Sequence, residues 1–173
     1  MEFSDILEKW ASAHPEIKHV KAKDSKNKRV FYTKGFADMA DFLQVQTAKT
    51  SPCVIMESSA PVSGNGGDWE YKDYTIYFCV RSPQMMQTMD GEEAKECKEK
   101  ATILAQTFRN SIFFLNGFLK GKGIPMHIEE GYQIETLGPF WNWWYAAQLT
   151  LQIAEGVNKC LGKELADEIM QSL

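Results

Sequence analysis

The chain has 173 residues, 44% of them hydrophobic and 24% charged, proportions that exclude a disordered, collagen-like or fibrous protein. Its length is near that of one domain and nothing in its composition marks a break, so a single domain over 1–173 is expected. No stretch approaches the roughly eighteen apolar residues of a membrane span, and a formal net charge of −4 argues against a protein that neutralises many phosphates.

The start, Met1-Glu2-Phe3-Ser4-Asp5, has no basic segment followed by an apolar run, so no secretory signal is read and a cytoplasmic product is expected. Phe3, Ile6, Leu7 and Trp10 recur at helical spacing until His14-Pro15, which predicts a short amphipathic helix ending before Pro15. Residues 18–23 and 28–33 flank the turn-forming Asp24-Ser25-Lys26-Asn27 in the manner of a hairpin. Lys18, Lys21, Lys23, Lys26, Lys28, Arg29 and Lys34 cluster here around Asp24 as the sole acid, a basic patch centred on Lys23, Lys26, Lys28 and Arg29. Lysines on a strand edge discourage strand-to-strand aggregation; an acidic partner surface or a non-specific DNA contact is the alternative use.

After Gly35, the residues Phe36, Met39, Ala40 and Leu43 predict a second helix. Cys53-Val54-Ile55-Met56 is too short for a helix and rich in strand formers, which fits a central strand covered on both faces. Residues 58–68, holding Ser58, Ser59, Pro61, Ser63, Gly64, Asn65, Gly66 and Gly67, read as an irregular loop. Tyr74, Ile76, Phe78 and Val80 then alternate with Thr75, Tyr77, Cys79 and Arg81 in a strand.

Glu92 and Glu93 open the longest helix, their charge suited to the positive end of its dipole. Ala94, Cys97, Ala101, Leu104, Ala105, Phe108, Ile112 and Leu115 give it one apolar stripe over about six turns, and Gly117, Gly121 and Gly123 end it. A strand is predicted over 124–129, where Ile124, Met126 and Ile128 alternate with Pro125, His127 and Glu129. Tyr145, Ala147, Leu149, Leu151 and Ile153 form the cleanest period of two, Gly156 breaks it, and Val157, Leu161, Leu165, Ile169 and Leu173 predict a C-terminal helix. The sum is an α+β fold: an antiparallel or mixed β-sheet with a long helix and shorter helices packed on it.

Little in the sequence points to chemistry. His14, His19 and His127 lack metal-ligand spacing, and Cys53, Cys79, Cys97 and Cys160 sit among apolar neighbours as buried thiols would. No nucleophile motif occurs, and Gly64-Asn65-Gly66-Gly67 lacks the Gly-Lys-Ser/Thr that a phosphate loop requires. Neither catalysis nor a cofactor nor a metal is therefore expected. The unusual segment is Phe140-Trp141-Asn142-Trp143-Trp144-Tyr145. Strand alternation puts Trp143 and Tyr145 inward and Trp144 on the opposite side, leaving rings for another surface. Packing under the sheet edge, a protein interface, and stacking on a sugar or base all remain open. The candidate contact residues are Trp141, Trp143 and Trp144, with Asn65 and Trp69 at the glycine-rich loop.

The opening helix, the strand Pro52-Cys53-Val54-Ile55-Met56-Glu57 before a polar loop, and the strand over 74–81 leading to a long helix together resemble the tail terminator, or tail completion, proteins of long-tailed phages and prophages. The likeness extends to Leu137-Gly138-Pro139-Phe140-Trp141-Asn142-Trp143-Trp144-Tyr145 running into Gln148-Leu149-Thr150-Leu151-Gln152-Ile153. It covers most of the chain but not the basic segment at 18–33 or the C-terminal helix. The resemblance implies a non-catalytic structural protein: a homo-oligomeric ring, a hexamer, enclosing a DNA path at the end of the tail tube. Tail-tube and head-connector proteins would be its partners, first in the bacterial cytoplasm and then in the virion. The other reading is a small-molecule or peptide-binding α+β module with the aromatic cluster from Trp141 to Tyr145 as pocket wall.

Overall fold

The computed structural model describes residues 2–21, 26–58, 62–64, 69–83 and 91–156. In chain order the elements are α1 (Phe3–Ala13), β1 (Val30–Thr33), α2 (Phe36–Val45), β2 (Cys53–Glu57), β3 (Val62–Gly64), β4 (Trp69–Arg81), α3 (Gly91–Gly121), β5 (Met126–Phe140) and β6 (Trp144–Gly156). Single 3-10 turns lie at Ala48–Thr50 and Trp141–Trp143. The strands form one mixed sheet in the order β1-β2-β4-β6-β5, with β3 paired to the start of β4. Among the described strands only β1 and β2 run parallel. The architecture is α+β.

Two strands of 13 residues, β4 and β6, pair antiparallel along their whole length, from Trp69 opposite Gly156 to Arg81 opposite Trp144. Their alternating side chains supply both faces of the sheet. On one face Phe78, Tyr145, Ala147, Leu149 and Ile153 meet α1 through Phe3 and Leu7, and α3 through Ala101, Leu104, Ala105, Phe108 and Ile112. Trp10 meets Phe78 and Phe108 in T-shaped contacts, with ring centres 5.8 Å and 5.0 Å apart. On the other face Met39 and Leu43 of α2 cover Cys53, Ile55, Tyr77, Cys79, Trp144 and Ala146. The strand β2, buried from Cys53 to Met56, is thus covered on both sides as its composition predicts.

The predicted hairpin is absent among the described residues, for a local reason. Ile17 and His19 are drawn into the protein, 1% and 5% exposed. The His19 ring nitrogen Nδ1 accepts the amides of Arg29 at 3.1 Å and Val30 at 3.3 Å, so a side chain takes the place of a strand at these donors. Val20 N–H donates to the Asn27 carbonyl at 3.1 Å and closes the loop. Strand β1 turns instead to β2, with Val30 opposite Val54 and Thr33 opposite Glu57.

Three further elements differ from expectation in extent. Part of the predicted irregular loop is strand, Val62 to Gly64 facing Lys72 to Glu70. Strand β5 runs 15 residues to Phe140 rather than stopping near 129; register shifts between Ile128 and Tyr132 and between Leu137 and Phe140 break the alternation by which it would be read. Helix α3 spans 31 residues and passes through Gly117, because the buried Leu119 anchors one turn more. The chain reverses at Gly123, whose φ of +66° suits glycine, and Ile124 N–H returns to the Leu119 carbonyl at 3.0 Å. Cys53, Cys79 and Cys97 are buried free thiols, while Cys160 and the predicted C-terminal helix lie outside the described residues. Among the described residues no helix is long and apolar enough to cross a membrane.

Phe108 touches α1 and the sheet at once, through Phe3, Trp10 and Phe78. Its replacement by Ala leaves a cavity where three elements meet. Phe108→Ala should therefore cost about 3–5 kcal/mol, seen as a lower denaturant midpoint with an unchanged slope.

Candidate interaction surfaces

The aromatic segment is a structural corner before it is anything else. Strand β5 arrives through Gly138, whose φ is +110° and whose absent Cβ would stand 2.8 Å from the Trp144 carbonyl oxygen. The 3-10 turn that follows holds Asn142 and Trp143 in the left-handed region, each at φ 59°, a conformation Asn tolerates better than most residues. Asn142 donates its side-chain amide to the Gln44 carbonyl of α2, and its own carbonyl accepts from the Arg81 guanidinium at 2.9 Å. Ser82 N–H donates to the Trp143 carbonyl at 3.0 Å. The corner therefore binds α2, β4, β5 and β6 together.

Two of its rings lie on opposite faces of the sheet. Trp144 and Tyr145 do point to opposite sides, as alternation requires, but both sides are covered: Tyr145 lies under α3 and Trp144 under α2, 1% and 0% exposed. The expectation that Trp144 is left for an outside surface fails because α2 caps that face. Trp143 is half-buried in the turn that Trp141 opens. Trp69 is 38% exposed at the far end of β4, about 40 Å away at ordinary strand rise. The structure thus separates Trp69 from the tryptophan corner. Asn65 and Lys23 lie outside the described residues.

In the basic patch, Lys26 and Lys28 are exposed. Arg29 is partly buried and donates to the carbonyls of Lys26 at 2.8 Å and Lys28 at 3.0 Å. Lys28 Nζ also sits 5.5 Å from the centre of the Phe31 ring. Lys21 instead turns to α1 and pairs with Glu8 at 2.9 Å. Burial opposes the charge on Glu8, but bonds from Lys21 and Tyr32 together with the nearby positive charge carry its carboxyl below the ordinary value.

This region borders a charged cleft of about 600 Å³ lined by Glu2, Asp5, Glu8, Lys21, Lys72 and Glu155, among others. Lys72 and Glu155 pair across β4 and β6, and burial with the Glu155 carboxylate pushes the Tyr74 hydroxyl up to about 12. Glu8 is held by Lys21 and Tyr32 and Glu155 by Lys72, while the Glu2 carboxylate accepts the Ser4 hydroxyl at 3.4 Å. Among the described residues no three His, Cys, Asp or Glu side chains converge as a metal site would need. His127 is exposed on β5, as alternation predicts.

Sequence reasoning passed over α3 as a surface. Ile103, Phe114 and Phe118 are 59%, 81% and 55% exposed, and at 100° per residue these positions fall within about 60° of one another. The sequence signal was available: Phe114 and Phe118 stand off the stripe that Phe108, Ile112 and Leu115 define. Tyr132 of β5, 50% exposed, lies under the Arg109 guanidinium at 4.3 Å. No family model and no curated protein matches this chain.

His19 makes the basic loop sensitive to pH. Burial lowers its pKa from the ordinary 6.5, against the attraction of Glu8 and with the repulsion of Lys28, Lys21 and Arg29. The folded state thus favours the neutral ring, whose Nδ1 is free to accept. Its stabilisation is fully present above the unfolded-state pKa and is lost as pH falls below it towards the folded value. His14, also lowered by burial, acts in the same sense. Denaturation at pH 7.5 and pH 5 should show lower stability in acid, and His19→Ala should weaken the fold by about 1–3 kcal/mol at neutral pH while reducing that difference.

Proposed function

We propose that the chain is a structural assembly protein of phage tail-terminator type, a homo-oligomeric ring at the end of a tail tube that meets tube and head-connector proteins. The observation that supports this is the apolar outer flank of α3, where Phe114 stands 81% exposed beside Phe118 and Ile103. Covering one such side chain is worth roughly 1.5–3 kcal/mol, and exposed apolar groups gathered on one flank mark protein contacts more often than chance exposure does. The outer edge of β5, a strand of 15 residues, has no strand partner among the described residues.

The alternative, a small-molecule or peptide-binding module walled by the tryptophan segment, would draw on Trp144 and Tyr145, and both are packed in the core. The α3 flank and the β5 edge suit broad protein contacts instead. A ring of this kind encloses a channel wide enough for DNA, and the exposed Lys26 and Lys28 are the residues by which a non-specific contact would be made.

Sedimentation and electron microscopy of the purified protein over rising concentration test the reading. Particles several times the chain mass with a central opening are expected, and Ile103→Ser combined with Phe114→Ser should shift them to smaller species without changing the circular dichroism. A monomer at every concentration, with the double variant indistinguishable from it, overturns the proposal.

A further inference from the structure

At the two outer edges of the sheet the charges differ in sign, carried by the residues that flank β1 at one edge and by β5 itself at the other. At one end is β1, entered through Lys26, Lys28 and Arg29 and left through Lys34, with no acid between residues 26 and 34. At the other end is β5, which holds Glu129, Glu130 and Glu135 and no lysine or arginine. Among the described residues neither set finds an ion-pair partner: the five pairs formed join Lys21, Lys72, Lys95 and Lys100 to acids elsewhere. Each edge also offers a partly exposed tyrosine: Tyr32 at 41% on β1, its hydroxyl donating to Glu8 of α1 at 2.9 Å, and Tyr132 at 50% on β5, its ring beneath the Arg109 guanidinium. Glu129 and Glu130 fall in the register shift between Ile128 and Tyr132, where the strand bulges.

We infer that copies of this chain join head to tail, the basic β1 edge of one against the acidic β5 edge of the next. The inference rests on the assembly reading above and adds the two sheet edges to the α3 flank as contact faces. Charges placed merely to keep edges from aggregating need only be present on each edge; here the edge residues that lack an ion-pair partner among the described residues are basic around β1 and acidic on β5, while Glu8 beside Tyr32 is already paired with Lys21. Two β1 edges meeting would set lysine against lysine and two β5 edges glutamate against glutamate, which disfavours a two-fold dimer. A β1 edge against a β5 edge brings unpaired cations to unpaired carboxylates, with a tyrosine on each side to exclude water. Because the two surfaces differ and lie at opposite ends of the subunit, each addition leaves both kinds of edge free. That is the geometry from which rings close.

Charge reversal at exposed Lys26, Lys28 and Glu130 and partly buried Glu129 tests this. One variant carries Lys26→Glu and Lys28→Glu, a second Glu129→Lys and Glu130→Lys, and a third all four substitutions, each checked for native circular dichroism. Sedimentation velocity of the wild type should show oligomers that weaken as salt rises. Each two-site variant should require roughly tenfold or more protein to associate, and the four-site variant, with complementarity restored, should associate like the wild type. Oligomers that persist unchanged in both two-site variants overturn the edge-to-edge joint and leave the assembly reading standing. Failure of the four-site variant to recover, when both two-site variants are monomeric and folded, also overturns the joint. A wild type that stays monomeric throughout removes the assembly reading itself.

Discussion

The pairing of β4 with β6 is the constraint on which the molecule depends. Their shared register, unbroken from Trp69 and Gly156 to Arg81 and Trp144, fixes which side chains face α1 and α3 and which face α2. A slip of one residue would turn Phe78 and Tyr145 away from α3 and send polar residues such as Gln148 and Thr150 into that core. The helices have no comparable contact with one another across the sheet. Their positions follow from the two faces that this ladder presents.

That ladder also explains why the second face is divided. Near the tryptophan corner Tyr77, Cys79, Trp144 and Ala146 are covered by α2. Farther along the same strands stand Asp73, Thr75, Gln148, Thr150 and Gln152, with Gln152 donating to Asp73 at 2.8 Å. Helix α2 has only 10 residues, about 15 Å, and cannot reach them. The polar part of the face is therefore a matter of helix length as much as of strand composition.

The sequence made one class of feature legible, namely elements with an unbroken period. The stripe of α3 from Cys97 to Ile112 and the alternation of β6 from Tyr145 to Ile153 are both found where periodicity puts them. Elements held by long-range pairing were less visible. Bulges conceal most of β5, and β3 exists only because Lys72 and its neighbours offer it an edge. The failed hairpin shows a third limit, since no local pattern indicates that His19 would satisfy the amides of Arg29 and Val30. For the contact residues, alternation gave the directions of Trp144 and Tyr145, but which directions lead to solvent depended on where α2 comes to rest. The flank at Ile103, Phe114 and Phe118 could have been found by asking which apolar residues lie off the buried stripe.

The tryptophans draw the eye in the corner between β5 and β6, yet Gly138 is its tightest point. Backbone from two strands meets there with no room for a methyl group, and the left-handed φ further restricts the choice. A half-buried ring such as Trp143 can be exchanged for another large side chain as a lineage drifts. The glycine has no such substitute, so the freedom of this segment to acquire new contacts lies in the residues around it and not in the bend itself.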